Sequence, residues 1–472
     1  MAQPVPSSCE TLIIGAGMSG LAAGIRMAMY GHDVLIVDRH SLWGGLNSFY
    51  KKAGRPFDVG LHALTNYVDK GVRGRPLSRI LRQLRIPYEA LQLGQQWGSE
   101  SAFPDVKLEF SNDFELLRSQ VAAEFPNEID GFDRLSRLLA EYPDLPTAGI
   151  PVMARTRLAE YLSDPRLVDL LLLPILYYGS PTPHDIEWQS FVVLWKSLYE
   201  EGFARPRGGV RTILALLRDR YRESGGGLCM NSGVAEILRS DGRAIGVRLD
   251  DGQEIRCQRI LSSAGLVETM ALCGPELAAE YAPAKRAGRM TFVECISLLD
   301  RPLEELGHRK TITFFNTSER LAYEPPESPF STTSGVICCP DHYEGQEPQH
   351  EPALRLTLRA HPEAWMNMPE AEYAAQKEKA WEAGHAAILP FAPDIRPYTQ
   401  FVDTFTPRTI ARFTGHAYGA VYGSPQKSPE GRTALEHLFL CGTDQGFLGI
   451  VGAMLSGIAM ANQHALGAAA SS

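Results

Sequence analysis

Cysteine is sparse and unpatterned in this 472-residue chain. The eight cysteines include no CxxC pair, so neither a zinc knuckle nor a disulfide framework is expected. Free thiols in a reducing compartment follow, and the neighbours Cys338 and Cys339 read as core packing in a strand-like run. Positive charge is in deficit: the net charge of −9 argues against a nucleic-acid partner. Long hydrophobic runs are missing too. The richest, Leu170 to Pro183, is broken by proline and too short to cross a bilayer. The first residues, MAQPVPSSCE, lack the charge and apolar core of a signal peptide, so a cytoplasmic location is expected. There is no tandem repeat, no long low-complexity linker, no metal-ligand spacing and no evident nucleophile–base pair.

What is present begins at Thr11. The stretch TLIIGAGMSGLAAGIRMAMYGHDVLIVDR reads as strand, glycine turn, small-residue helix and second strand, which is the order a dinucleotide-binding unit requires. Gly15 makes the tight turn, and Gly17 lets backbone approach a pyrophosphate. Gly20 and Gly24 let the helix lie close on the sheet. The helix N-terminus offers free N–H groups to phosphate. Asp38 ends the second strand, where its carboxylate can accept from ribose hydroxyls.

Two further pieces exceed what a nicotinamide site needs. Gly44-Gly45 gives bare backbone, and Pro56-Phe57-Asp58-Val59-Gly60-Leu61-His62 forms another tight segment. Both suit an extended FAD. In the tail, His437 to Asp444 reads as a strand ending in Gly442-Thr443-Asp444. A glycine turn over 445–451 follows, and then a Gly/Ala-rich helix over 452–466, whose N-terminus can face oxygens of a ligand.

Between head and tail the character changes several times. Leu77, Ile80, Leu81 and Leu84 share one helical face, beside Lys70, Arg73, Arg75, Arg79, Arg82 and Arg85. Two readings stand for residues 70–86: a peripheral contact to an anionic membrane, or a solvated face over an ordinary core stripe, which the pattern favours. Residues 112–201 read as helical, with segments over 114–125, 132–142 and 166–177, the last apolar nearly all round. Trp188, Phe191, Trp195 and Tyr199 form an aromatic stripe, either core or the wall of a lipophilic site. Gly208-Gly209 precedes a helix over 212–221. Strands over 234–238, 244–249 and 254–257 make a meander, and Arg259 to Gly265 reads as a further parallel strand. From 291 to 406 strand patterns recur, with a helical insertion near 369–389 and a polar surface loop over 344–352.

These motifs resemble the FAD-dependent amine oxidase and phytoene desaturase superfamily, nearer the branch of phytoene desaturases, carotenoid isomerases and retinol saturases. The resemblance rests on GAGMSGLAAG, Asp38, Gly44-Gly45, FDVGLH, RGG before a helix, Val234 to Ile237, Thr406-Pro407-Arg408-Thr409, Gly419 to Gly423, and CGTDQGFLGIVGAMLSG. It covers about residues 10–66, 203–265 and 405–466, and Asp38 stands where many members carry Glu. It implies an α/β fold: a Rossmann-like FAD-binding domain with an inserted antiparallel-sheet substrate domain and a helical insert. The expected division is 1–70, 203–285 and 416–472 for FAD, 71–202 for a helical substrate or lid insert, and 286–415 for the substrate sheet.

The implied cofactor site comprises Gly15, Gly17, Met18, Ser19, Gly20, Asp38, Arg39, Gly44, Gly45, Leu46, Val234, Gly442, Asp444, Gly449, Ile450 and Val451. Arg39 either meets the adenosine half or is a solvated charge. His62 is the candidate catalytic residue, beside the ordinary structural role of an isolated histidine. The implied activity is an FAD-dependent oxidoreductase acting on a small lipophilic substrate, a polyene or isoprenoid, by hydride transfer at flavin N5. The alternatives are a flavin amine oxidase, for which Tyr418 and Tyr422 could form an aromatic cage, and a non-catalytic FAD-binding protein.

Overall fold

The computed structural model describes residues 5–60, 62–143, 152–345 and 351–467. Leu61 and most of the polar loop expected over 344–352 lie outside these residues.

The first sheet is built around Ser8–Ile14. This strand pairs in parallel with Val34–Val37 on one side, Leu12 opposite Leu35, and with Glu254–Ser262 on the other. All four residues of Val34–Val37 are buried, the mark of a strand covered on both faces. Gly227–Cys229 extends one edge and the hairpin Val234–Ser240/Arg243–Leu249 the other. Glu254–Ser262 corrects the sequence reading, which split it into a meander strand and a separate parallel strand. It is one nine-residue strand. Its first part pairs antiparallel with Arg243–Leu249, and its last part pairs in parallel with Leu438–Leu440. The head and tail motifs therefore flank one strand end.

The helix Met18–Ala28 returns across this sheet and packs on Gly449–Ala461, and small residues set that distance. A Cβ added to Gly457 would overlap the Ser19 carbonyl, and one added to Gly24 would meet Tyr221 and Ile36 side chains at 2.8 and 2.9 Å.

The second sheet has seven strands, ordered Thr399–Phe405, Phe292–Leu299, Ala353–Ala360, Phe330–Cys338, Ile312–Asn316, Ser99–Ala102 and Lys107–Phe110. The last two come from the segment expected to be a helical insert. That expectation is corrected: residues 71–202 supply two sheet strands as well as helices. Strand alternation divides this sheet cleanly. Val293, Cys295, Ile337, Leu354, Leu356 and Leu358 face a core that also contains Trp365 and Ala380. Phe292, Phe314, Val336 and Cys338 face the opposite way, into the core built on Pro165–Gly179 and Trp188–Trp195. Cys338 and Cys339 are both buried, on opposite faces.

The aromatic stripe is core. Trp188, Phe191, Trp195 and Tyr199 touch serially, stacked, tilted and edge-to-face, at 5.2, 5.8 and 4.9 Å between ring centroids and are at most 4% exposed. The basic helix Pro76–Leu84 likewise spends its apolar face internally. Leu77, Ile80, Leu81 and Leu84 are buried against the first sheet's helices, leaving Arg79 and Arg82 exposed. Among the described residues no helix is long and apolar enough to cross a membrane.

Candidate functional site

One cavity of about 1010 Å³ runs from the glycine loop to the second sheet, at the upper end of the roughly 300–1,000 Å³ usual for small-molecule sites. Its first part is backbone. Gly17 and Gly44 form a bridge between the two glycine segments. A Cβ on Gly17 would meet nothing within 4 Å, so this backbone is open to the cavity. Gly44 has a φ of 120°, and a Cβ there would press on Leu214 and Ser48 at 2.8 and 2.9 Å. Only glycine holds this turn without strain.

Asp38 braces the loop. Its carboxylate accepts from the Ala16 N–H at 2.7 Å and the His40 N–H at 2.8 Å, and each oxygen keeps a lone pair for a ligand hydroxyl. Asp58, in the second tight segment, accepts from Arg205 and Val210 N–H and pairs with Arg211. That ties the segment to the Gly208-Gly209 turn and the helix Val210–Glu223.

Gly15, Gly17, Met18, Ser19, Asp38, Arg39, Gly44, Gly45, Leu46, His62, Val234, Gly442, Gly449 and Ile450 all line the cavity. Three expected residues do not. Gly20 is turned to the sheet, where a Cβ would overlap the Gly15 carbonyl. Val451 is 1% exposed, in the core. Asp444 is also off the wall: it is buried, its oxygens accept from the N–H groups of Leu266 and Ser424 at 2.5 and 2.7 Å, and Lys427 Nζ lies 3.7 Å away. It ties loops together behind Thr443, which does line the wall. Tyr418 is also off the wall, held under Arg289, so Tyr418 and Tyr422 form no cage.

Sequence reasoning passed over the helix Pro407–Thr414, which carries Ile410 and Phe413 to the cavity near Arg39 and His40; His40 and Phe413 rings lie 5.4 Å apart. Its signal was the cap: Thr406 accepts from the Thr409 N–H, followed by Pro407 at the first helical position.

The far part of the cavity is aromatic and aliphatic: Tyr177, Tyr178, Phe292, Phe314, Val336, Val421, Tyr422 and Leu448. Two of the tyrosine hydroxyls are engaged within the wall: Tyr177 bonds Ser334 at 2.9 Å and Tyr422 donates to the Tyr177 carbonyl. Tyr178 is half-buried; its hydroxyl has no hydrogen-bond partner among the described residues, and burial pushes its pKa up.

Set into this wall is a charged group that sequence reasoning missed. Glu294 lies directly across from Thr357 in the sheet register, and Arg355 sits diagonally. The Glu294 carboxylate accepts from Arg355 Nε and lies 3.2 Å from His62 Nε2. Burial opposes its ionisation, but Arg355 and His62 draw the carboxyl down to about 2. The signal was a lone Glu among the eight buried residues of FVECISLL.

Residues 13–84 match the NAD(P)-binding Rossmann-like domain model. Along its length the chain is similar to all-trans-retinol 13,14-reductase of Danio rerio, 25% identical over 96% of this chain and 85% of that protein. It is 22% identical to the chloroplastic prolycopene isomerase of Arabidopsis thaliana, over 97% and 82%. It is 25% identical to a 4,4'-diapophytoene desaturase of Methylomonas over 58% and 57%. In fold it superposes on an oxidoreductase from Methanosarcina mazei (TM-score 0.66, 17% identity, 95% of this chain and 99% of that one). It also superposes on a triple mutant of putrescine oxidase (TM-score 0.64, 13%, 98% and 99%). The expected resemblance to the amine oxidase and phytoene desaturase superfamily is borne out by these likenesses.

Proposed function

We propose that this chain is an FAD-dependent oxidoreductase acting on an apolar polyene or isoprenoid. The observation that carries the reading is the continuity of one cavity from a phosphate-ready glycine loop to a wall of aromatic and aliphatic side chains. A dinucleotide fits the first part. Gly17 leaves its backbone open, the N-terminus of Met18–Ala28 faces the same space, and Asp38 stands at the strand end for a ribose. Val234 and Arg39 would hold the adenosine half, Gly44 to Leu46 and Gly442 the middle, and Gly449-Ile450 the ring.

When bound, FAD supplies hydride acceptance or donation. The chain supplies shape and dryness. Phe292, Phe314, Val336, Val421, Tyr422 and Leu448 give the far part of the cavity an apolar surface, so an apolar chain is oriented there by burial, at about 25 cal/mol per Å². The names of the similar reductase, isomerase and desaturase support a retinoid or carotenoid-like substrate. Residues 286–415 and part of 71–202 serve as the substrate unit in this reading, and a cytoplasmic protein touching a membrane through the basic face of 70–86 would reach such lipids.

The test is anaerobic mixing of the yellow holoprotein with polyenes, isoprenoids and amines, with the pre-reduced protein run in parallel. Bleaching by a polyene, or conversion of one by reduced protein, is expected. Bleaching by amines alone would overturn the assignment.

A further inference from the structure

Glu294 is not among the residues expected to hold the cofactor, and an apolar substrate does not need a charge for affinity. Three charged or polar side chains nevertheless occupy neighbouring inward positions on two adjacent strands, Phe292–Leu299 and Ala353–Ala360: Glu294, Thr357 and Arg355. A buried charge is costly unless it is paired and employed. Arg355 pairs it, and His62 is the group through which it reaches the cavity.

The geometry fixes the imidazole. A carboxylate only accepts, so the nitrogen 3.2 Å from Glu294, Nε2, carries the proton. Thr357 Oγ1 lies 3.3 Å from the same nitrogen, where it can only be a second acceptor sharing that proton. The His62 backbone is held as well, its carbonyl accepting from Tyr343 OH at 2.9 Å. Nδ1 has no hydrogen-bond partner among the described residues, and the side chain is 22% exposed on the cavity wall. The Tyr177 and Tyr422 hydroxyls nearby are engaged by Ser334 and by the Tyr177 carbonyl, whereas the imidazole keeps a bare ring nitrogen able to accept a proton.

We infer that Glu294, anchored by Arg355, is a positioning residue that holds His62 with Nε2–H on the carboxylate and a bare Nδ1 toward the cavity, as the proton-transfer group of the site. The inference rests on the oxidoreductase reading. Each loss of two hydrogens from carbon would release one hydride, which bound FAD would accept, and one proton. Nδ1 would take that proton, with the imidazolium facing the Glu294 charge. Saturation runs the same transfers backward.

Histidine labelled with ¹⁵N reports the tautomer directly, with His62→Gln identifying the signal. At alkaline pH, wild-type protein without substrate is expected to show Nε2–H with unprotonated Nδ1, and Glu294→Gln a mixture of tautomers. Nδ1–H in the wild type, or an unchanged tautomer in the variant, would overturn the positioning. If Glu294→Gln does not fold, the wild-type tautomer alone decides. Since no substrate is needed, a failed flavin assay leaves this result standing. With the substrate that reacts, His62→Gln should lower kcat about 10²-fold or more while FAD content is unchanged; an unchanged kcat would remove the proton-transfer role.

Discussion

Two glycines three residues apart should fail in opposite ways. Gly17 has φ −76° and ψ −179°, a conformation open to any residue, and an added Cβ there points into free cavity space. Gly17→Ala should therefore fold normally. Restricting the unfolded chain stabilises by roughly 0.4–1 kcal/mol, and losing glycine from the helix N-cap costs a similar amount, so the two effects nearly cancel. In the proposed FAD site the methyl group would instead stand in the path of the pyrophosphate. At a hundredfold excess of FAD over Kd, the wild type gains about 2.7 kcal/mol from the ligand; the variant should lose that gain and purify colourless. Gly20→Ala is the reverse. Its Cβ would overlap the Gly15 carbonyl and crowd Ile13 Cγ2 at 3.3 Å, and backbone cannot rotate away as a side chain can. Overpacking of this kind costs about 1–3 kcal/mol, so the apo variant itself should melt several degrees lower. Thermal melts with and without FAD, together with flavin content by absorbance, separate the two. Gly17→Ala that retains full flavin, or Gly20→Ala that melts like the wild type without FAD, would refute the placement of this loop.

Asp38→Ala should weaken FAD binding, because a charge-bearing acceptor is lost along with the brace on Ala16; a cost on the order of 1.5–3 kcal/mol is expected by titration, and unchanged affinity would remove Asp38 from the site. Reversing Arg79 and Arg82 to Glu should abolish any binding to anionic liposomes at low salt, at about 1 kcal/mol per arginine; since the apolar stripe of that helix is buried, wild-type binding that resists high salt would contradict a purely electrostatic contact. Stability should fall on mild acidification. Burial lowers the pKa of His308 and His385 from 6.5 to about 4, so between those pH values the unfolded chain binds protons the folded one refuses, and each histidine removes up to about 3 kcal/mol. Denaturant melts from pH 8 to 5 should show the decline beginning near pH 6.5; a flat profile would place these histidines in contact with water.

The parts legible in the sequence were those with local chemistry. Gly15-Ala16-Gly17 and Asp38 announce themselves because turn, helix terminus and strand end lie within one short stretch. The Pro165–Gly179 helix was legible because it has no polar face. What the sequence hid depends on pairing between distant segments. Asp444 reads as a ligand-facing acid after a strand, and its true partners, the N–H groups of Leu266 and Ser424, arrive from elsewhere in the chain. Ser99–Ala102 joins the second sheet through Ile312–Asn316, more than two hundred residues later, and nothing local in SESA reads as strand. Tyr418 and Tyr422 look equivalent in a glycine-rich run, but a left-handed Tyr418, φ 59°, turns one of them off the wall.

The same alternation explains why one sheet serves as both core and site. Outward positions of Phe292–Leu299 and Ala353–Ala360 carry Val293, Cys295, Leu354, Leu356 and Leu358, which only need to pack. Inward positions carry Phe292 and Glu294 on one strand and Arg355, Thr357 and Arg359 on the next. A one-residue slip in this register would carry Glu294 and Arg355 into the apolar core and expose leucines to the cavity. The cost of that exchange pins the register, and the register in turn sets the distance from Glu294 to His62. Function is thereby tied to folding. The charged pair that orients the imidazole also discourages mispairing of the central strands, so loss of both charges, as in Glu294→Met with Arg355→Met, removes the fix on His62 even where the sheet survives with an apolar face.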